Sequence, residues 1–317
     1  MYYISQRRQG AKKHPLRLGV FARIFSAKKS YTCSSSYKPL SKMKKIIFLL
    51  LSICVITSFK QKPLTWVAIG DSITYLNEHR DETGNRITKG YMTRVVEKLP
   101  HIRYTNQGHN GWTSGGIASA IDKLGLEKAD MYSIFLGTND WWQGRPLGTI
   151  ADYKNNTGNH SVYGSFRIII DKLRSLNNNA KIILITPMQR ADFVYINDMK
   201  NNAFGCYKEK NGQTLKQFSN AIETIAKHEG FVLMDLYHQS EMGIKKLVKY
   251  KRLKDPQTKG AYRNYSYPEY IGVPFNPETD EYPYPVDAID VTYDGLHPSD
   301  KGYEIIAGML VKIMKKF

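Results

Sequence analysis

The stretch Trp66-Val67-Ala68-Ile69-Gly70-Asp71-Ser72 determines how this chain is interpreted. Its first four residues form an apolar run of the length that is typical of a short buried strand. Gly70 then favours a turn, so Ser72 stands just beyond the end of that strand. A nucleophilic serine would occupy such a place, although Gly-Asp-Ser alone is also ordinary turn chemistry.

Four more strand-like runs follow, and helix-length amphipathic segments separate them. Strands joined in this way form right-handed βαβ units, and therefore a parallel sheet with helices on both faces. We predict a single α/β domain over residues 63–317. The predicted strands are 65–70, 102–106, 131–136, 181–186 and 231–235, and the predicted helices are 89–99, a segment starting at Ser114, 161–177, 215–226 and 300–315.

Two segments interrupt this alternation. Residues 187–212 are predicted to form a long polar loop, and residues 237–293 form an insertion rich in Tyr and Pro. Loops of that length are uncommon unless they are functional. The insertion is open to three interpretations, which are a packed surface subdomain, a lid and a platform for sugar rings. Within it, the lysine-rich residues 243–254 are predicted to form a solvated basic helix.

The net charge of +18 is concentrated at the N-terminus. Residues 1–62 hold 14 of the 46 Lys and Arg residues and no Asp or Glu, so the rest of the chain has 32 basic and 28 acidic residues. A nucleic-acid-binding domain carries its basic excess on a folded face. We therefore predict no nucleic-acid partner.

The same N-terminus indicates an exported protein. Three lysines precede an uncharged apolar run at 46–57, which suits a secretory signal peptide and is short for a membrane span. We predict a signal peptide at 43–62, with residues 1–42 as an upstream extension; a buried helix or a short membrane anchor is the alternative. The expected location is secreted or in the periplasm or cell envelope, without stable membrane insertion after the leader is removed. Lipid attachment at Cys54 is a further option.

Polar groups follow the predicted strands at their carboxyl ends. Ser72 follows the first strand, Asn106 to Gly111 the second and Gly137 to Asp140 the third, while Asp294 to His297 precede the final helix. Ligands of open α/β sheets bind beyond the carboxyl ends of the strands. We therefore expect the first three groups to meet at one sheet edge, with the last folded onto them.

These residue types suit nucleophilic attack on an acyl carbonyl. A serine hydroxyl needs a base to take its proton, and the imidazole of His297 can serve. Asp294, three residues earlier, can fix the orientation of that imidazole. The oxyanion formed by attack needs fixed donors, which the backbone N–H groups of Ser72 and Gly111 and the side-chain amide of Asn139 would supply.

The four groups together resemble the sequence blocks of the SGNH, or GDSL, hydrolase family. Gly70-Asp71-Ser72-Ile73 matches the first block, with Ile in place of the usual Leu. The other blocks are matched by Asn106 to Gly111, by Gly137-Thr138-Asn139-Asp140 and by Asp294-Gly295-Leu296-His297-Pro298. The resemblance covers about residues 64–317. It implies a flavodoxin-like, three-layer α/β/α fold with a five-stranded sheet, ester hydrolysis through an acyl-enzyme, and no metal or organic cofactor.

Several aromatic residues flank the presumed oxyanion residues. Trp112, Trp141 and Trp142 lie within a few residues of Gly111 or Asn139, and His109 lies in the second block. Packing is the commoner fate of tryptophan, but we expect at least one of these rings to line the substrate cleft. No His, Cys, Asp or Glu cluster has zinc-type spacing, so no metal site is predicted.

The resulting hypothesis is a serine esterase that deacetylates a carbohydrate, with a small-molecule or polysaccharide ester as its substrate. A lipase, lysophospholipase or thioesterase of the same family is the main alternative. Acyl transfer in place of hydrolysis is another. A non-catalytic carbohydrate-binding module on an inactivated scaffold is an alternative from a different class, which the intact Ser72, Asp294 and His297 disfavour. The pattern leaves the oligomeric state open.

Overall fold

A five-stranded parallel sheet lies at the centre of residues 62–258 and 260–317, the residues that the structure, a computed structural model, describes. Its strands are β1 (Leu64–Gly70), β2 (Ile102–Gly108), β3 (Met131–Phe135), β4 (Lys181–Ile185) and β7 (Val232–Met234). Their order across the sheet is β2-β1-β3-β4-β7, and every neighbouring pair is parallel. This confirms the predicted fold class. The predicted upstream extension at 1–42, the predicted signal peptide up to residue 61, and Cys54 fall outside the described residues.

The apolar run in β1 is continuous because both faces of the sheet are covered. Trp66 and Ala68 pack into one hydrophobic core, whereas Val67 and Ile69 pack into a second core on the other face. All four are at most 3% exposed. Successive side chains of a strand point to opposite faces, so β1 holds two separate helix layers against one sheet.

The helices form the two outer layers of the predicted sandwich. The sheet face that carries Trp66 packs against α2 (Tyr91–Lys98) and α8 (Asp300–Met314). The face that carries Val67 packs against three helices, α3 (Ser114–Ala120), α6 (Val162–Leu176) and α7 (Leu215–Glu229). The longest helices in the described part have 15 residues, and none there combines the length and apolarity of a membrane span. The helices are α1 (Ser72–Tyr75), α2 (Tyr91–Lys98), α3 (Ser114–Ala120), α4 (Thr138–Trp142), α5 (Ile150–Lys154), α6 (Val162–Leu176), α7 (Leu215–Glu229) and α8 (Asp300–Met314).

The prediction of a polar loop at 187–212 was wrong in part. An antiparallel hairpin forms there from β5 (Phe193–Tyr195) and β6 (Asp198–Ala203). The exposed residues of β6 are polar, so its sequence carries little apolar signal. The pairing is visible only from the tertiary packing, in which Phe193 and Ala203 are buried.

The prediction of a solvated basic helix at 243–254 was also wrong. The segment contains a 3₁₀ turn at Ile244–Lys246 and the strand β8 (Lys251–Lys254), which pairs with β9 (Tyr262–Tyr265). Its apolar residues Leu247, Val248 and Leu253 are buried in the core on the α8 side of the sheet. Burial of these three decides the conformation, whereas the lysine content had suggested a surface helix.

The tyrosine-rich insertion packs mainly inward. Tyr265, Tyr270, Tyr284 and Tyr293 are at most 7% exposed and join the same core. Amphipathic rings that served as a sugar platform would keep one face exposed. The buried rings therefore favour the interpretation of the insertion as a packed subdomain.

The turn from β1 into α1 is capped by a buried carboxyl group. Asp71 Oδ1 accepts a hydrogen bond from the backbone N–H of Ile73 at 3.0 Å, and the residue is 1% exposed. Burial raises the pKa of Asp71 to about 6, an effect that outweighs the hydrogen bond from Ile73. A Cβ at Gly70 would lie 2.0 Å from Thr74 Oγ1, so only glycine fits before this cap.

Replacing Ile183 by Ala tests the packing of the sheet. Ile183 is fully buried at the centre of β4, and its truncation is expected to lower the free energy of unfolding by about 2–5 kcal/mol, as measured by urea denaturation. Ile271→Ala is the matched control, because Ile271 is 37% exposed and should cost less than about 1 kcal/mol. Equal losses in the two variants would contradict the assignment of the core.

The raised pKa of Asp71 predicts a pH-dependent stability. Between the ordinary pKa of 3.8 and about 6, the unfolded chain releases a proton that the folded protein keeps. The stabilisation that protonated Asp71 contributes is therefore fully present below pH 3.8 and is lost as the pH rises through about 6. Asp71→Asn keeps the acceptor for the Ile73 N–H and does not titrate. Its free energy of unfolding, taken relative to that of the parent, should therefore rise by roughly 2 kcal/mol between pH 4 and pH 7.

Asp130→Asn is the control for this titration. Asp130 accepts hydrogen bonds from the Thr65 backbone N–H at 2.8 Å and from Thr65 Oγ1 at 2.9 Å, and these lower its pKa. Asp130→Asn should therefore lose stability relative to the parent as the pH rises from below the lowered pKa of Asp130 through 3.8, which is the opposite sign to Asp71→Asn and a more acidic range. Parallel pH curves for Asp71→Asn and the parent, followed by chemical denaturation, would refute the buried-carboxyl account.

Candidate active site

Ser72 is the first residue of α1, directly beyond the carboxyl end of β1. The short helix is held in place from the far end of the chain, because Tyr303 Oη in α8 donates to the Ile73 carbonyl at 2.9 Å in a buried contact. The Gly70 carbonyl accepts from the His109 backbone N–H at 3.0 Å. The Ser72 hydroxyl is thus carried by a turn that is fixed on two sides.

His297 and Asp294 lie on a tight loop before α8. Asp294 Oδ1 accepts from the backbone N–H groups of Leu296 at 3.0 Å and His297 at 2.7 Å, while its Oδ2 lies 2.6 Å from His297 Nδ1. Gly295 has φ of 91°, and a Cβ there would lie 1.9 Å from the Asp192 carbonyl oxygen. The loop therefore needs glycine at this position to aim the imidazole.

The structure joins the three predicted catalytic side chains in one hydrogen-bonded series. His297 Nε2 lies 2.9 Å from Ser72 Oγ, although the two residues are 225 positions apart in the sequence. The Asp294 carboxylate accepts from Nδ1–H, which leaves Nε2 free to accept the hydroxyl hydrogen of Ser72. This arrangement can transfer the serine proton to the imidazole.

The predicted oxyanion residues border the same cavity. Gly111 has φ of 71°, with open space where a Cβ would stand. The Asn139 side chain is oriented by a hydrogen bond from its Nδ2 to the Trp112 carbonyl at 3.1 Å. An amide nitrogen carries two hydrogens, so a second donor remains on Asn139. Ser72, Gly111, Asn139 and His297 all line this cavity of about 390 Å³.

Asp140 holds the Asn139 loop in place. It is fully buried, and it accepts hydrogen bonds from the Ser114 backbone N–H at 2.8 Å and the Ser114 hydroxyl at 2.7 Å. Arg145 Nε lies 3.2 Å from its Oδ1. Burial raises the pKa of Asp140, against these hydrogen bonds and the nearby guanidinium. The carboxyl therefore links α3 to α4, the helix that carries Asn139.

Of the four aromatic residues suggested for substrate contact, Trp142 alone is among those that line the cavity. Trp141 points from α4 towards the core and is fully buried. Its Nε1 donates to the Gln213 carbonyl at 2.9 Å. Trp112 and His109 stack on each other with ring centroids 4.4 Å apart. These three rings support the loops around the site from outside the cavity.

Sequence reasoning missed the contribution of the β5–β6 hairpin. Phe193, Tyr195 and Asn201 from this hairpin line the cavity, as does Arg190 just before it. The Phe193 ring meets the His297 imidazole edge-on at 5.4 Å, and Tyr293 stacks on the same imidazole at 5.9 Å. No local pattern signalled this role, because the hairpin reaches the site only through tertiary contacts.

Comparisons with known proteins agree with the geometry. The model of the GDSL-like lipase/acylhydrolase family matches residues 68–305. A structure from Chitinophaga pinensis DSM 2588, described as a possible lipase, is 63% identical with a TM-score of 0.79, and covers 80% of this chain and 98% of its own. A Lactobacillus plantarum structure, 18% identical with a TM-score of 0.54 over 80% of this chain and 98% of its own, shares the fold. No curated protein matches.

The family match extends from the strand before Ser72 to the helix after His297, so it includes every residue group described above. The resemblance found in the sequence blocks is thereby confirmed. Within the described residues, no group of three or more His, Cys, Asp or Glu side chains is arranged to hold a metal ion. The chain belongs to the GDSL-like lipase/acylhydrolase family and is an ester-bond hydrolase.

Proposed function

We propose that this hydrolase cleaves its ester through an acyl-enzyme on Ser72. The observation that carries the proposal is the contact of 2.9 Å between Ser72 Oγ and His297 Nε2, continued by 2.6 Å between His297 Nδ1 and Asp294 Oδ2. A hydroxyl is a weak nucleophile until a base accepts its proton. Both His297 and Asp294 are at most 6% exposed, so competing water is largely kept from this pair.

The reaction then proceeds in two steps, acylation of Ser72 and deacylation by water. Ser72 Oγ attacks the carbonyl carbon while His297 Nε2 takes its proton, and collapse of the tetrahedral intermediate returns that proton to the departing alcohol. Water next attacks the acyl-serine carbonyl and gives a proton to His297 Nε2. As the bond from the carbonyl carbon to Ser72 Oγ breaks, His297 returns this proton to Oγ, which releases the carboxylic acid and regenerates Ser72. Asp294 keeps the imidazole oriented and stabilises its protonated form throughout.

Three donors are proposed to bind the oxyanion of each intermediate. They are the backbone N–H groups of Ser72 and Gly111 and the remaining side-chain N–H of Asn139. The positive φ of Gly111 and the bond from Asn139 to the Trp112 carbonyl hold two of these donors before substrate arrives. Donors that need no reorganisation stabilise developing charge most effectively.

The proposed substrate is an acetylated carbohydrate. The cavity of about 390 Å³ is near the small end of ligand sites, and amide side chains of Asn110, Gln143 and Asn201 line it beside aromatic rings. Amides can bind sugar hydroxyls, and the rings of Trp142 and Tyr195 offer apolar area to a sugar face. This mixed lining supports a polar alcohol portion and a short acyl portion.

A lipase, lysophospholipase or thioesterase activity is the second candidate. The observation in its favour is the description of the 63% identical Chitinophaga pinensis structure as a possible lipase. We further propose export to the periplasm, cell envelope or medium on the strength of residues 43–62, which would bring the enzyme to extracellular polymers.

Ser72→Ala should abolish the activity while leaving the fold intact. We expect at least a thousandfold lower kcat/KM for 4-nitrophenyl acetate, because the acyl-enzyme cannot form. Ser175→Ala is the control, since Ser175 lies exposed on α6 and bonds only the Lys172 carbonyl at 2.7 Å. An organophosphonate probe should label the parent and the control but not Ser72→Ala; labelling of the folded Ser72→Ala protein would refute the assignment.

Acyl-chain preference separates the two candidate substrate classes. Among 4-nitrophenyl acetate, butyrate and octanoate, we expect kcat/KM to be highest for acetate, because the cavity is small and its lining mixes polar with apolar side chains. A preference for octanoate would favour a lipase or lysophospholipase instead. Release of acetate from an acetylated polysaccharide, lost in Ser72→Ala, is the direct measurement of the proposed activity.

A further inference from the structure

Arg190 is a buried cation beside the nucleophile. It lies between β4 and β5, lines the same cavity as Ser72 and His297, and is 1% exposed. Arginine is almost never fully buried unless it is paired with an acceptor. The mechanism proposed above gives this side chain no task.

No protein group neutralises this guanidinium among the described residues. Its Nε and Nη2 are buried and have no hydrogen-bond partner, and no carboxylate lies within ion-pair distance of it. The nearby acids are engaged elsewhere, since Asp192 binds Lys251 at 2.9 Å and Asp294 binds His297. Glu82, which also lines the cavity, accepts from Tyr75 Oη at 2.8 Å and Asn110 Nδ2 at 3.3 Å.

Aromatic rings position the guanidinium without satisfying its N–H groups. Its central carbon lies 5.5 Å from the Trp141 ring centroid and 5.3 Å from that of Trp142. A second cation, Lys210 Nζ, lies 4.5 Å from the Trp142 centroid and has no carboxylate partner among the described residues. Such contacts orient a cation, but they leave its donors free for a ligand.

Burial lowers the pKa of Arg190 to about 10, so the group stays protonated at neutral pH. An unpaired buried charge destabilises the folded protein. An anion that enters the cavity and pairs with the guanidinium removes this penalty, so its binding is favoured. The planar fork of an arginine matches the two oxygens of a carboxylate.

We infer that Arg190 binds a carboxylate of the substrate, so that the preferred esters carry a negative charge close to the scissile bond. This inference rests on the proposed function at Ser72 and narrows it to anionic esters. The carboxylate has two chemical sources. It can belong to the acyl portion, as in a dicarboxylic half-ester, or to the alcohol portion, as in an acetylated uronic acid.

Two substrate pairs test the inference and separate the sources. The acyl pair is 4-nitrophenyl hemisuccinate and its methyl-capped counterpart, and the alcohol pair is an acetylated methyl glucuronoside and its 6-methyl ester. We expect kcat/KM to be at least about tenfold higher for the charged member of one pair, and that pair identifies the source. Equal rates within both pairs, in an enzyme that Ser72→Ala inactivates, would overturn the inference and leave the proposed function standing.

Arg190→Met should erase that preference. We expect the ratio of kcat/KM for the charged member to kcat/KM for the neutral member to fall at least about tenfold. Arg86→Met is the matched control, because Arg86 lies 5.2 Å from the Tyr282 ring centroid and is not among the residues that line the cavity. Equal losses on both members would show a structural role for Arg190 and refute substrate recognition, as would a preference that persists in Arg190→Met.

Competition in the parent enzyme provides a test that needs no variant. For the acyl source, succinate should inhibit hydrolysis of 4-nitrophenyl acetate competitively and at least about tenfold more strongly than dimethyl succinate does. For the alcohol source, methyl glucuronoside should exceed its 6-methyl ester by the same factor. Equal inhibition by the charged and capped compounds would contradict the inference even if Arg190→Met fails to fold. Arg190→Lys, which keeps the charge but not the fork, should retain part of the preference.

Discussion

The parallel pairing of β1 with β2 and β3 is the constraint on which the site depends. It brings the ends of all three strands to one edge of the sheet, and therefore places Ser72, Gly111 and Asn139 around one cavity. The fourth element comes from the far end of the chain. Tyr303 in α8 binds the carbonyl of Ile73, so the helix that follows His297 is tied to the helix that begins with Ser72.

Buried charge is handled differently in different parts of the site. Asp294 and Asp140 are fully buried, and each is matched by backbone or hydroxyl donors and a neighbouring cationic or imidazole group. Burial raises the pKa of Asp71 to about 6, because the hydrogen bond from the Ile73 N–H offsets only part of the lost hydration. Arg190 has no acceptor for its Nε or Nη2 among the described residues. The first two groups hold loops in position, and the last is the group that a ligand would complete.

The segments outside the central sheet form much of the cavity wall. The β5–β6 hairpin is tied to the histidine loop, because the Ala191 and Val194 backbone N–H groups donate to the Gly295 and Asp294 carbonyls at 2.9 and 3.2 Å. The hairpin then places Phe193 against the imidazole. The insertion supports this loop from behind with Tyr284, whose hydroxyl donates to the Asp192 carbonyl. These segments therefore shape the cavity wall around His297, while the ends of the sheet strands position Ser72, Gly111 and Asn139.

The sequence by itself determined the sheet, the approximate positions of its five strands and of five of the eight described helices, and the residues expected at its carboxyl edge. Periodicity and glycine turns are local properties, so Trp66 to Ile69 and the turn at Gly70 could be interpreted without coordinates. Only the tertiary structure decided the conformation of 187–212 and 243–254, the burial of Trp141 and the placing of Arg190 in the cavity. These depend on contacts between residues far apart in the chain. A lysine-rich segment can be drawn into a core by Leu247 and Leu253, and a polar strand can form when a partner strand supplies its hydrogen bonds.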